Sequence, residues 1–206
     1  AVVNNNGVKE IEVCELLRPD AFVYSSLWLD SLTESLARWA CGDALSHAIE
    51  GGLSPLADDG IREALGSVLK SMCLLGIVKN IQWYALSAAA CKGQAHSSVG
   101  LVHGLAHVLE GPLCEAFPGE SMGHARLCSL FLLPVLKFNQ SASTKWEDFA
   151  RLQSVNMSVV DKMTESLFDA ELYDRVRPFI ARYWDTIRQD PCTRTNSTLV
   201  KKNSLN

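Results

Sequence analysis

The sequence has no CxxC pair, no run of basic residues, no apolar stretch long enough to span a membrane and no glycine-rich GxG turn after a strand. Each absence closes off a class. Without a basic run or a basic–aromatic patch, and with a net charge of −4 and a pI near 5.7, a nucleic-acid partner is not expected. The most apolar run, Leu127–Val135, is too short for a bilayer and contains Pro134, so no membrane partner is expected. Without the GxG turn, no segment offers the phosphate cradle of a nucleotide site. The seven cysteines are odd in number and mostly sit among apolar residues. They read as buried free thiols in a reducing, cytoplasmic setting. Asn139, Asn156 and Asn196 each open an N-x-S/T triplet, and without a signal peptide these are chance matches. No internal repeat and no low-complexity segment occurs.

Strand-like material is also scarce and confined to residues 1–28: Val2-Val3, Val8, Ile11–Val13 and Ala21–Tyr24, punctuated by Pro19-Asp20. It starts abruptly, as if a preceding portion were missing. Helical periodicity then takes over, and 48% hydrophobic residues in 206 supply a packed core. Ser31 and Glu34 form a capping box, and Leu32, Leu36, Trp39, Ala40, Ala44, His47 and Ala48 continue one face until Gly51-Gly52 stops the helix. Asp58 or Asp59 starts the next helix, with Ile61, Leu65, Val68, Leu69 and Met72 as its stripe. An alanine-rich helix spans 79–95. Ser97-Ser98 caps another that carries His103 and His107, and 111–122 is a loop. His124 opens a long apolar helix. A second capping box at Thr144 and Glu147 introduces helices near 145–153, 157–168 and 172–189, which Pro191 ends. The reading is all-α: residues 1–28 a linker-like piece, 29–192 a helical domain, 193–206 a polar tail.

Four of the five histidines lie on or beside these apolar helices. Asp43 and His47 are four residues apart, so both side chains share one helical face. His103 and His107 repeat the spacing, and His124 sits at a helix mouth. Asp43, His47, His103 and His124 together offer one oxygen and three nitrogens. That set suits a divalent transition metal, iron(II) or zinc, whereas calcium requires more oxygens. Such an ion acts as a Lewis acid on a carbonyl or alcohol oxygen. His107, one turn beyond His103, is open to three roles: ligand, support for a ligand, or proton relay. His96 reads as structural or merely near the site, Glu50 as a helix-end residue, Cys41 and Cys128 as packing with thiol ligation as the alternative, and Lys92, Glu110 and Asp59 as solvated positions.

The same segments resemble the iron-containing, or group III, alcohol dehydrogenases. GDALSHAIE at 42–50 is similar to that family's DALTHAIE motif, and GLVHGLAHVLEGP at 100–112 to GLVHGLAHPLG. GHARLCSLFLLPVLKFN at 123–139 resembles HG-x-A-N-x-x-LLPHVLRFN, and DPCTRTN at 190–196 resembles D-x-C-x-x-TNPR. The resemblance implies the helical catalytic domain of the dehydroquinate synthase-like fold, following a nucleotide-binding domain that this sequence does not contain. It places the metal ligands on Asp43, His47, His103 and His124, and a proton-handling histidine near the nicotinamide on His107. It implies Fe2+ or Zn2+, NAD or NADP, and hydride exchange with a small alcohol or aldehyde; a homo-oligomer is compatible with it. Departures are Ala125 and Val108, where the family has glycine and proline, and a longer 111–122 segment. A dehydroquinate synthase-like lyase and a non-catalytic truncated homologue are the alternatives.

Overall fold

The computed structural model describes residues 2–3, 9–10, 21–201 and 205. Its elements are β1 (Val2–Val3), β2 (Lys9–Glu10), α1 (Ser26–Ser31), α2 (Glu34–Leu53), α3 (Asp59–Leu75), α4 (Gln82–Gln94), α5 (Leu101–Ala116) and α6 (His124–Ala142). They continue with α7 (Lys145–Leu152), α8 (Met157–Leu167), α9 (Ala170–Arg182), α10 (Trp184–Gln189) and α11 (Pro191–Arg194). The all-α expectation holds. β1 and β2 pair antiparallel, with Val2 opposite Glu10. Ala21–Tyr24 forms no strand; its side chains are exposed, and Tyr24 stacks on Tyr84 with ring centres 6.1 Å apart. Val8, Ile11–Val13 and Pro19-Asp20 fall outside the described residues. No helix among the described residues is long and apolar enough to cross a membrane.

The fold is built around α2. Its first turns are half-exposed, but from Cys41 to Leu53 nearly every residue is buried, because α3, α4 and α6 surround it. That all-round burial replaces the single apolar face expected, and it leaves Leu36 and Ala40 exposed. Thr33, not Ser31, is the N-cap, its Oγ1 accepting from the Leu36 N–H. Nor do Gly51 and Gly52 stop the helix. They are close-approach positions: a Cβ on Gly52 would lie 2.7 Å from the Phe149 ring, so α7 can press against α2 only if that position is bare. The helix ends at Ser54.

Gly42 makes the same accommodation for α6. A Cβ there would lie 2.9 Å from the Ser129 Cβ and 3.1 Å from its Cα, contacts that no rotamer relieves. Gly42→Ala gains about 1 kcal/mol of helix propensity but forces α2 and α6 apart, an overpacking cost of about 1–3 kcal/mol. We expect a net fall in denaturation midpoint. An unchanged midpoint in the single variant would mean that the two helices are not in tight register.

Asp58 caps α3 as read, accepting from the Ile61 N–H at 2.8 Å, and Leu65, Leu69 and Met72 are fully buried. α5 departs from expectation at both ends. Ser97 and Ser98 do not cap it: Ser97 Oγ donates to the Gly51 carbonyl, and Ser98 sits at φ 66°. At the far end α5 runs through Pro112 to Ala116, because Leu105, Leu109 and Leu113 continue one fully buried stripe past the proline. The connection to α6 is correspondingly short.

The second capping box does not form. Thr144 Oγ1 donates to Asp148 Oδ2, and the Thr144 side chain caps no N–H. The helix expected at 172–189 is broken at Tyr183, so that Trp184 and Ile187 turn into the core. Pro191 opens α11 at its first position, where a missing N–H costs nothing, with Asp190 as cap. The polar segment after it is not a free tail. Thr193, Asn196 and Ser197 are buried. Asn196 Oδ1 accepts from the Leu101 N–H at 3.2 Å, and its Nδ2 donates to Asn139 at 2.9 Å. Polar side chains here satisfy backbone groups at the start of α5 that would otherwise be orphaned.

Candidate metal centre

Three helices deliver the side chains. Asp43 and His47 project from the middle of α2, His103 from the first turn of α5, and His124 from the first turn of α6. Asp43 Oδ1 is the centre of the group. It lies 3.6 Å from His103 Nε2, 3.7 Å from His124 Nε2 and 3.7 Å from His47 Nδ1. His47 Nε2 and His103 Nε2 are 3.1 Å apart. The four residues singled out by spacing therefore meet in space.

Hydrogen bonding decides what they present to one another. His47 Nδ1–H donates to the Asp43 main-chain carbonyl at 3.0 Å. His103 Nδ1 faces Glu50 Oε2 at 2.8 Å, also an acceptor. Both neutral rings must then carry their proton on Nδ1, which turns two bare Nε2 lone pairs towards each other. His124 differs: its Nδ1 lies 3.9 Å from Glu110 Oε2, beyond hydrogen-bonding distance, and its Nε2 lies 3.5 Å from Cys128 Sγ. Asp43 Oδ1 is buried with no hydrogen-bond donor in range. His103 Nε2 and His124 Nε2 lie 3.6 and 3.7 Å from Asp43 Oδ1, a spacing that leaves room for a cation between them. Two ligands of one zinc-like ion at about 2.1 Å and a tetrahedral angle stand about 3.4 Å apart. The donor set fits a divalent transition metal.

Among protein groups alone, that repulsion is relieved by a proton. Burial opposes charge on His103, but the Asp43 and Glu50 carboxylates outweigh it and raise the group to about 9. Burial, and then the charge of His103, push His47 down to about 4. Burial also opposes the charge on Asp43, yet the three imidazoles around it hold its carboxyl well below the usual range.

Two neighbouring groups complete the site. Cys128, buried on α6, has Sγ 3.5 Å from His124 Nε2; with Asp43, His103 and His124 it offers donor atoms all within 4.8 Å of one another. Burial pushes its thiol well up, so it stands there protonated. It was read as packing, and it is buried, but it also borders the site. Cys41, by contrast, packs as expected, its Sγ 3.8 Å from the Val78 carbonyl. His107 stands apart from the four. It stacks on His124 with ring centres 5.2 Å apart, and its Nδ1 lies 3.7 Å from Asp190 Oδ2 and 3.9 Å from Cys192 Sγ. His107, Asp190 and Cys192 form a second compact group. His96 is exposed.

Sequence reasoning missed Glu50 as more than a helix end, along with Glu110, Asp190 and Cys192. A signal existed for Glu50, since positions 43, 47 and 50 share one face of a helix. Glu110 was read as solvated, yet it faces His124.

No protein-family model matches the chain, and no curated protein matches it. Solved structures do. An iron-containing alcohol dehydrogenase from Thermotoga maritima superposes with TM-score 0.60 at 15% identity, covering 85% of this chain and 48% of that one. A second structure of an iron-containing alcohol dehydrogenase gives the same values. That of the iron-containing alcohol dehydrogenase from Thermococcus thioreducens gives TM-score 0.55 at 20% identity, covering 85% and 50%. The chain spans about half the length of these structures. At such identities the likeness shows the fold, which is the one expected from the motif resemblance.

Proposed function

We propose that this chain is the metal- and substrate-holding half of an NAD(P)-dependent alcohol dehydrogenase or aldehyde reductase of the iron-containing type. One observation carries the reading: the convergence of His103 Nε2 and His124 Nε2, at 3.6 and 3.7 Å, on a buried Asp43 Oδ1 that has no hydrogen-bond partner. Asp43, His47, His103 and His124 would hold iron(II) or zinc, which supplies Lewis acidity towards an alcohol oxygen. Asp43 neutralises part of the ionic charge and sets its position. His47 and His103 aim their lone pairs through the hydrogen bonds at Nδ1. His107, anchored beside Asp190, holds and passes the proton that an alcohol loses when its hydride leaves. Leu101 and Leu105 on α5 and Leu127 on α6, close in sequence to His103 and His124, are fully buried. Among the described residues, the side chains that border the four include Glu50, Glu110, Cys128 and His107. This acidic and neutral set suits an alcohol or aldehyde better than the phosphate-bearing substrate of a dehydroquinate synthase-like lyase.

The test has two arms. After loading and dialysis, the chain should retain one divalent ion per molecule. Calorimetry with NAD and NADP should show no saturable binding, because no segment offers a phosphate-cradling turn. Failure to retain metal would remove the reading; cofactor binding would move the nucleotide site into this half.

A further inference from the structure

Glu50 is almost fully buried at the end of α2, where a carboxylate needs strong compensation. It finds that compensation in α5. Oε1 accepts from the Val102 N–H at 2.7 Å, and Oε2 accepts from the His103 Nδ1–H at 2.8 Å. Oε2 also lies 3.4 Å from the His103 main-chain nitrogen. One carboxylate thus holds the backbone of the first turn of α5 and the ring that this turn carries. The approach requires Gly100: a Cβ there would lie 2.7 Å from Glu50 Oε1. Asn196 serves the adjacent Leu101 N–H, so the two caps are separable.

We propose that Glu50 is the positioning residue of the metal centre, fixing His103 in the tautomer whose Nε2 lone pair faces Asp43 and His47. This rests on the reading of those residues as metal ligands. A carboxylate suits the task because it presents an acceptor to both donors. Glutamine cannot. With its carbonyl oxygen on the Val102 N–H, its NH2 faces His103 Nδ1. The ring must then move its proton to Nε2, where a metal would bind. With the amide reversed, NH2 opposes the Val102 N–H.

Cobalt(II), followed by its visible absorption, is a suitable probe. Wild-type chain should bind one equivalent. Glu50→Gln should bind about 10–100-fold more weakly, the range for a carboxylate that orients a ligand histidine. Asn196→Ala, which removes only the neighbouring cap, should lower the melting temperature and leave cobalt affinity near wild type. Equal affinity in Glu50→Gln and wild type, whatever the melting temperature, would reduce Glu50 to a cap and overturn the proposal. A wild-type chain that takes up no cobalt would instead overturn the metal reading itself. Should Glu50→Gln fail to fold, nitrogen-15 NMR of zinc-loaded wild-type protein decides. Coordination through Nε2 of His103 with a proton retained on Nδ1 is expected, and coordination through Nδ1 would overturn the proposal.

Discussion

Alanine at Asp43, His47 or His103 is expected to leave the chain without metal after dialysis. The affinity loss should exceed the about 10–100-fold that follows from disturbing a ligand's support. Asp43 should show the largest loss. Its Oδ1 is the atom that the other three rings surround, and without it a doubly charged ion would sit among neutral imidazoles with no countercharge at its centre. His47→Ala removes half of the preorganised pair on α2. His103→Ala removes the ring that faces both Asp43 and His47, and leaves Glu50 Oε2 buried without its imidazole partner. His124→Ala should be mildest: its side chain is the most exposed of the four, and the Cys128 thiol, 3.5 Å from its Nε2, is placed to replace it. Because the ligands come from α2, α5 and α6, loaded wild-type protein should melt higher than protein treated with a chelator. An ion at 100 times its Kd contributes about 2.7 kcal/mol. Full retention of metal by all four variants would place the site elsewhere.

His107→Ala should behave in the opposite way. If the proposed function holds, turnover measured with a nucleotide-binding half supplied should fall about 10²–10⁴-fold, the usual range for a lost acid–base group. Metal content should stay near one equivalent. The argument is positional. His107 lies one turn beyond His103 and against the face of the His124 ring, and its Nδ1 points to Asp190 and Cys192, not to Asp43. Its ring centre is 6.0 Å from that of His103 and 5.2 Å from that of His124, which puts it beside the proposed centre, and its Nδ1 neighbours, Asp190 and Cys192, are outside the proposed ligand set. Metal analysis alongside turnover separates the two roles. Loss of the ion in His107→Ala would make it a ligand and leave the proton path to another group.

The pairing of Asp43 with His47 was legible because it depends on a local rule. A helix places positions four apart on one face, and that holds for Asp43 with His47 whatever surrounds them. The Asp58 cap was legible for the same reason. What escaped depends on neighbours distant in sequence. Gly51-Gly52 carries a local stop signal, but it is overruled by α4 and α7, which need bare positions to approach α2. Pro112 carries a local break signal, overruled by a leucine stripe that stays buried across it. Glu50 reads as an ordinary helix end until α5 is set beside it. Asn196 reads as tail until it reaches the start of the same helix.

That last contact has a consequence for how the centre comes into being. Asn196 meets the Leu101 N–H across 95 residues of sequence, and Glu50 meets Val102 across 52. On the ribosome, at about 5–20 residues per second, α5 emerges seconds before the segment that completes its first turn. Until that segment arrives, the turn bearing His103 has lost one of its two side-chain anchors, and its backbone frays more readily. Full capping of that turn is therefore a late event in the life of the nascent chain. Glu50, made before α5, can hold the His103 ring as soon as α5 folds onto α2, while the Leu101 N–H waits for residues near position 196.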